Sequence, residues 1–139
     1  LRFIALVPNF TLSTKEARAV LPESVLFKDA VFNVSRATLL LSALSSGNFE
    51  LLKVGLKDKL HQPYRGRLIP NFDFIFNKCE ELGSLGTFLS GAGPTIMTLI
   101  QDNNPDFIGK IKESLKTLGN EWNIQELSID KKGAFILED

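Results

Sequence analysis

The stretch Leu82-Gly83-Ser84-Leu85-Gly86-Thr87-Phe88-Leu89-Ser90-Gly91-Ala92-Gly93-Pro94-Thr95 sets a glycine-rich turn between two apolar runs. Thr87–Leu89 and Ile96–Ile100 read as strands on either side of it. Gly91 and Gly93 lack a Cβ, so the backbone there reaches positive φ and can lie close against a ligand, while Pro94 fixes φ and removes one donor. Successive free N–H groups in such a turn form a concave anion seat. The same residues also make an ordinary tight turn, and both readings stay open on the glycines alone. With no helix following, no helix dipole completes a phosphate cradle, so the loop reads as half of a site.

Outward from the loop, Pro70 suits the first turn of a helix that runs to Glu81-Leu82, with Phe72, Ile75, Phe76 and Cys79 on its buried face and Gly83 at its end. His61 to Arg67 contains Pro63 and Gly66 and reads as a loop. Phe49 to Lys59 reads as one helix of about three turns. The longest periodic segment, with Phe27, Ala30, Val31, Val34, Ala37, Leu41 and Leu44 at three- and four-residue spacing, is predicted to be the central core helix and to end at Ser46-Gly47. Ser13 and Glu16 fit a capping box for a short helix that stops before Pro22, and Arg2–Val7 is a first strand. Phe107–Leu118 is an amphipathic helix; Trp122–Ile129 and Ala134–Leu137 alternate like strands joined across Asp130–Gly133. This order suits an α+β fold, an antiparallel sheet with helices packed on one face.

A chain of 139 residues with 44% hydrophobic residues fills one domain, 1–139, with a real core. Sixteen basic residues balance sixteen acidic ones, so no global field draws the chain to nucleic acid or anionic lipid, and any charged ligand is held locally. One cysteine and one histidine leave no disulfide and no protein-built zinc site. The single thiol favours the cytoplasm, and no apolar run approaches the roughly 20 residues that span a bilayer. The chain opens directly on the strand-like Leu1–Val7, without an initiator methionine, and reads as a piece of a longer polypeptide.

Thr14 and Arg18 stand four apart on the first short helix and share a face. Arg65 lies in the Pro-Tyr-Arg-Gly segment, and two arginines from distant segments can converge on one carboxylate or phosphate through their planar donor forks. Each arginine alone also suits a solvated surface. Asp29, Asn33 and Arg36 fall on the polar side of the core helix, where a structural ion pair accounts for them. His61 reads as a loop residue, Cys79 as a buried small hydrophobe, and Lys131-Lys132 as solubilising a turn.

Leu85-Gly86 followed by Leu89-Ser90-Gly91-Ala92-Gly93-Pro94-Thr95 resembles the third signature motif of the GHMP kinases, named for galactose, homoserine, mevalonate and phosphomevalonate. The Pro94-Thr95 ending is similar to the homoserine kinase branch; other branches usually continue with glycine, or with a small residue and cysteine. Thr14-Lys15-Glu16-Ala17-Arg18, Lys28 to Ala37 and Gln62-Pro63-Tyr64-Arg65 agree in order and spacing. The resemblance implies a ferredoxin-like plait forming the C-terminal domain of a two-domain kinase, with no catalytic residue and no metal ligand in this part. It implies ATP- and magnesium-dependent phosphorylation of the side-chain hydroxyl of L-homoserine on the route to threonine. Arg18 and Arg65 would hold the α-carboxylate and Thr14 would orient the substrate. Ser90, Gly91, Ala92, Gly93, Pro94 and Thr95 would line the cleft, and an N-terminal domain absent here would hold ATP and Mg2+. Another small-molecule kinase of the superfamily and a non-enzymatic amino-acid-binding module are the alternatives, and a homodimer is left open.

Overall fold

Residues 1–133 and Ile136 are described by the computed structural model. Strands β1 (Arg2–Pro8), β2 (Gly86–Leu89), β3 (Ile96–Ile100) and β4 (Trp122–Leu127) form one antiparallel sheet in the order β2-β3-β1-β4. The near-continuous apolar run of β1 suits its interior place, because a strand covered on both faces needs no polar alternation. Phe3 lies opposite Leu99 and Leu127, and Leu6 opposite Ile96 and Ile124. The strand expected over Ala134–Leu137 lies, Ile136 apart, outside the described residues.

Side-chain alternation sorts the strands into two faces. Ile4, Leu6, Ile96 and Ile100 point toward α5 (Phe72–Glu81) and α6 (Phe107–Lys116), whose Ile75, Cys79, Phe107, Ile111 and Leu115 complete a buried core. This is the expected α+β plait, with α5 and α6 on one face. The opposite face also receives a layer: Phe3, Phe88 and Leu99 pack against Leu40 and Ala43 of α2 (Phe27–Ser46) and Leu52 of α3 (Leu52–Gly55).

Helix α1 (Thr14–Ala19) begins as expected, with Ser13 Oγ accepting from the Glu16 amide at 3.1 Å and Glu16 Oε2 accepting from the Ser13 amide at 3.1 Å. The Ser13 hydroxyl and amide hold the Glu16 carboxyl below its ordinary range. Helix α2 has the predicted bounds and ends at Gly47 in the left-handed region, φ 70°. It is not, however, the core helix the periodicity suggested. Of its residues only Ala43 is fully buried, while Phe27, Val31, Val34, Leu41 and Leu44 are exposed. The reason is geometric: the sheet beneath needs only the narrow strip around Leu40 and Ala43, so the wide apolar stripe is left facing outward. Hydrophobic period identifies a stripe and does not say which body covers it.

The long helix expected over 49–59 is replaced by a 3-10 turn, Phe49–Leu51, and the single turn α3. Gly55 lies so close to α2 that a Cβ there would stand 3.0 Å from the Leu40 amide nitrogen. The loop expected over His61–Arg67 is instead α4 (Gln62–Arg65) with a 3-10 turn, Gly66–Leu68, and Pro63 fits the first turn, where no amide is needed. Pro70 stays outside α5, which starts one residue after Asn71 in the left-handed region, φ 61°.

These layers separate core from surface in a measurable way. Ile111→Ala is expected to lower unfolding free energy by about 2–5 kcal/mol through lost burial and a residual cavity. Leu41→Ala should change this chain's stability by less than about 0.5 kcal/mol; urea denaturation of both variants checks the contrast.

Candidate functional site

At the glycine loop Arg65 meets both the β2–β3 hairpin and the main chain of α1. The β2–β3 hairpin presents the glycine loop: the Ser90 amide donates to the Thr95 carbonyl at 2.9 Å and the Gly93 amide donates to the Ser90 carbonyl at 3.1 Å. Gly91 has φ 60° and Gly93 φ 83°, so both need the freedom that glycine supplies. Pro94 follows a cis peptide bond. Among the described residues the amides of Gly91, Ala92 and Thr95 have no protein acceptor, which leaves three donors at the tip.

Helix α4 holds this loop from the side. Its Arg65 guanidinium donates from Nε to the Ala17 carbonyl at 3.0 Å and from Nη1 to the Gly91 carbonyl at 3.1 Å. One side chain therefore ties α1 to the loop. Gln62, buried one turn earlier, accepts from the Leu89 amide through Oε1 at 2.9 Å, fixing the strand end from which the loop springs. Arg18 follows Ala17 directly and is exposed, and Thr14 sits one turn before it at the start of α1, also exposed. Arg65 thus touches the glycine loop and the main chain of the helix that carries Thr14 and Arg18, whose own side chains make no hydrogen bond to either among the described residues. The departure is in how Arg65 is held: main-chain carbonyls of two distant segments fix it, and two of its donors are already engaged. Among the described residues Nη2 has no protein acceptor, and Arg18 is exposed.

Sequence reasoning missed what positions α4. Asp58 Oδ2 accepts from the amides of His61 at 2.8 Å and Gln62 at 2.7 Å, and Oδ1 accepts from Asn33 Nδ2 at 2.7 Å. Burial pushes the Asp58 carboxyl up, but the His61 and Gln62 amides, with Asn33, outweigh it and leave the group below its ordinary range. His61 Nε2 stands 3.8 Å from Asp58 Oδ1. Asn33 Oδ1 in turn accepts from the Lys59 amide at 2.9 Å. The ion pair expected within α2 is corrected accordingly: Asp29 pairs with Lys59 at 3.3 Å, while Arg36 lies over the Phe32 ring, 4.4 Å from its centre. The polar side of α2 serves as a clamp on 58–62. An acidic residue just ahead of a proline-containing turn is the signal that points to Asp58.

Behind α4, a cleft of about 490 Å³ is lined by Gln62, Pro63, Phe72, Asn77 and Thr87. Thr14, Arg18, Ser90 and Gly91 are exposed. Among the described residues no three metal-ligating side chains gather, and no helix is long and apolar enough to cross a membrane. Cys79 is buried as expected, its thiol pushed up to about 11 by burial.

The family model described as GHMP kinases C terminal matches residues 40–119. The chain is 54% identical over 136 residues to homoserine kinase of Clostridium botulinum (strain ATCC 19397 / Type A), covering 98% of this chain and 46% of that protein. It is 52% identical over 138 residues to homoserine kinase of Clostridium beijerinckii, covering 99% and 46%. The chain thus spans a little under half the length of these relatives. The crystal structure of homoserine kinase from Cytophaga hutchinsonii superposes with a TM-score of 0.84 at 23% identity, over 92% of this chain and 41% of that one, a likeness of fold.

The Asp58 clamp sets a pH-dependent stability. A carboxyl whose native pKa is depressed stabilises the fold above its unfolded pKa, near 3.9, and loses that contribution as pH falls through the native value. Asp58→Ala is expected to cost about 1–3 kcal/mol at pH 7. The gap to the parent chain should close below pH 4, as followed by thermal melts between pH 3 and 7.

Proposed function

The chain belongs to the GHMP kinases C-terminal family, and from that premise we propose that it is the acceptor-holding half of an ATP-dependent homoserine kinase, a cytoplasmic enzyme that phosphorylates the side-chain hydroxyl of L-homoserine. The observation that carries this reading is the Arg65 tie, which sets a guanidinium between the glycine loop and the helix bearing Arg18 and Thr14. Arg18 and the remaining donors of Arg65 take the α-carboxylate, a planar anion that matches the guanidinium fork. Thr14 orients the acceptor. The free amides of the loop face the phosphates delivered by the other half.

Phosphoryl transfer asks for positioning and charge neutralisation more than covalent protein chemistry, so the labour divides between halves. Magnesium and the nucleotide, when bound, bring the transferable group and neutralise its charge. Among the described residues no carboxylates gather for the metal, and none of its ligands is assigned here. Its task is to hold the acceptor so that the hydroxyl faces the γ-phosphorus.

The direct test is phosphorylation by the full-length polypeptide of homoserine, mevalonate and shikimate. Homoserine alone should be a good acceptor; preference for another acceptor gives a different kinase of the family, and binding of homoserine without turnover gives an amino-acid-binding module. In the full-length enzyme Arg18→Ala and Arg65→Ala should each lower kcat/KM for homoserine by roughly thirtyfold or more, about 2 kcal/mol. For Arg18→Ala, KM for ATP should stay unchanged. Unaltered steady-state kinetics in both variants would remove the clamp assignment.

A further inference from the structure

We propose that the cavity between α2 and the sheet is a binding site for a small apolar monocarboxylate, separate from Arg18 and Arg65, neither of which lines it. The cavity holds about 350 Å³, and Phe3, Leu40, Leu52, Phe88 and Leu99 give it apolar walls. Its polar residues are Asn33, Arg36, Lys57, Asp58, His61 and Gln62. Hydrocarbon walls with a few polar groups are the makeup of a small-ligand pocket. Two of these polar residues carry buried nitrogen atoms with no hydrogen-bond partner among the described residues, Arg36 Nε and His61 Nδ1.

Arg36 selects the ligand. Its guanidinium lies over the Phe32 ring and, among the described residues, takes part in no hydrogen bond or ion pair. A half-buried guanidinium with an unpaired Nε is costly unless an acceptor meets it. The cavity's own carboxylate is already committed, since both Asp58 oxygens accept, from Asn33 and from the amides of His61 and Gln62. Arg36 and Lys57 against Asp58 leave a positive balance that suits one incoming anion. A carboxylate matches the guanidinium fork, whereas a phosphate dianion would face mostly hydrocarbon. The apolar walls call for a hydrocarbon body behind the carboxylate. Asn33, Asp58 and Gln62 also belong to the supports of α4, so a ligand seated here lies against the residues that hold Arg65 in place.

The probe is 3-phenylpropanoate, with its neutral amide as control, titrated calorimetrically into the full-length polypeptide. The acid should bind one to one with a Kd below about 1 mM. The amide should bind roughly tenfold more weakly, for want of the charge-assisted hydrogen bond. Arg36→Gln should weaken the acid by a similar factor, as should Leu44→Trp, which sets an indole at the cavity wall where Leu44 is 47% exposed. Arg18→Ala should bind the acid as the parent does. Absence of saturable binding would overturn the proposal, and so would an amide that binds as tightly as the acid. Unchanged affinity in Leu44→Trp and folded Arg36→Gln, or loss of binding in Arg18→Ala, places the carboxylate elsewhere and overturns it too. Acid and amide are compared on the unaltered protein, so a variant that does not fold leaves the decision intact. Heat of binding is read without turnover, so the result stands apart from whether homoserine is phosphorylated.

Discussion

A guanidinium fixed between two main-chain carbonyls is the contact on which the site depends. α1, α4 and the β2–β3 loop lie far apart in sequence, and no strand pairing joins α1 to the loop. Arg65 does so with two charge-assisted hydrogen bonds, to Ala17 and to Gly91. A lysine cannot replace it, since one ammonium on a flexible stem lacks the rigid fork that reaches both carbonyls. The same geometry leaves Nη2 without a protein acceptor among the described residues.

Behind Arg65 stands a chain of supports that ends in the long helix. Asn33 of α2 holds Asp58, Asp58 holds the first amides of α4, and α4 presents Gln62 to β2 and Arg65 to the loop. Each link is a side chain satisfying a main-chain or side-chain group that would otherwise be stranded. Over its first half α2 thus turns polar residues inward onto this chain of contacts and apolar ones outward, an inversion of the usual arrangement for a helix on a sheet, while Leu40 and Ala43 further along pack on the strands.

That inversion explains what was legible in the sequence and what was not. The strands, the capping box at Ser13 and Glu16, the left-handed glycines at 47, 83, 91 and 93 and the plait order follow from local chemistry, and local chemistry is written in neighbouring residues. The α2 stripe was equally visible, but its direction depends on bodies distant in sequence. The short helix at Gln62–Arg65 was hidden because Pro63 and Gly66 read as breakers, although Pro is at home in a first turn and Gly66 admits the Phe72 ring, 2.6 Å from where its Cβ would be. Thr14 and Arg18 were singled out by their spacing and Arg65 by its Pro-Tyr-Arg-Gly segment; the carbonyls that hold Arg65 carry no residue-type signal at all.

The Gln62 bond to Leu89 has a bearing on solubility. β2 is an outer strand of the sheet, and an outer strand offers unpaired amides as a template for another strand. The Leu89 amide is occupied by a side chain, and Leu56 and the Leu52 carbonyl press against Gly86 at the other end of the same strand. Chain growth along this edge is therefore blocked at both ends of β2, and the protein can display a donor-rich loop beside it without inviting a foreign strand to add to the sheet.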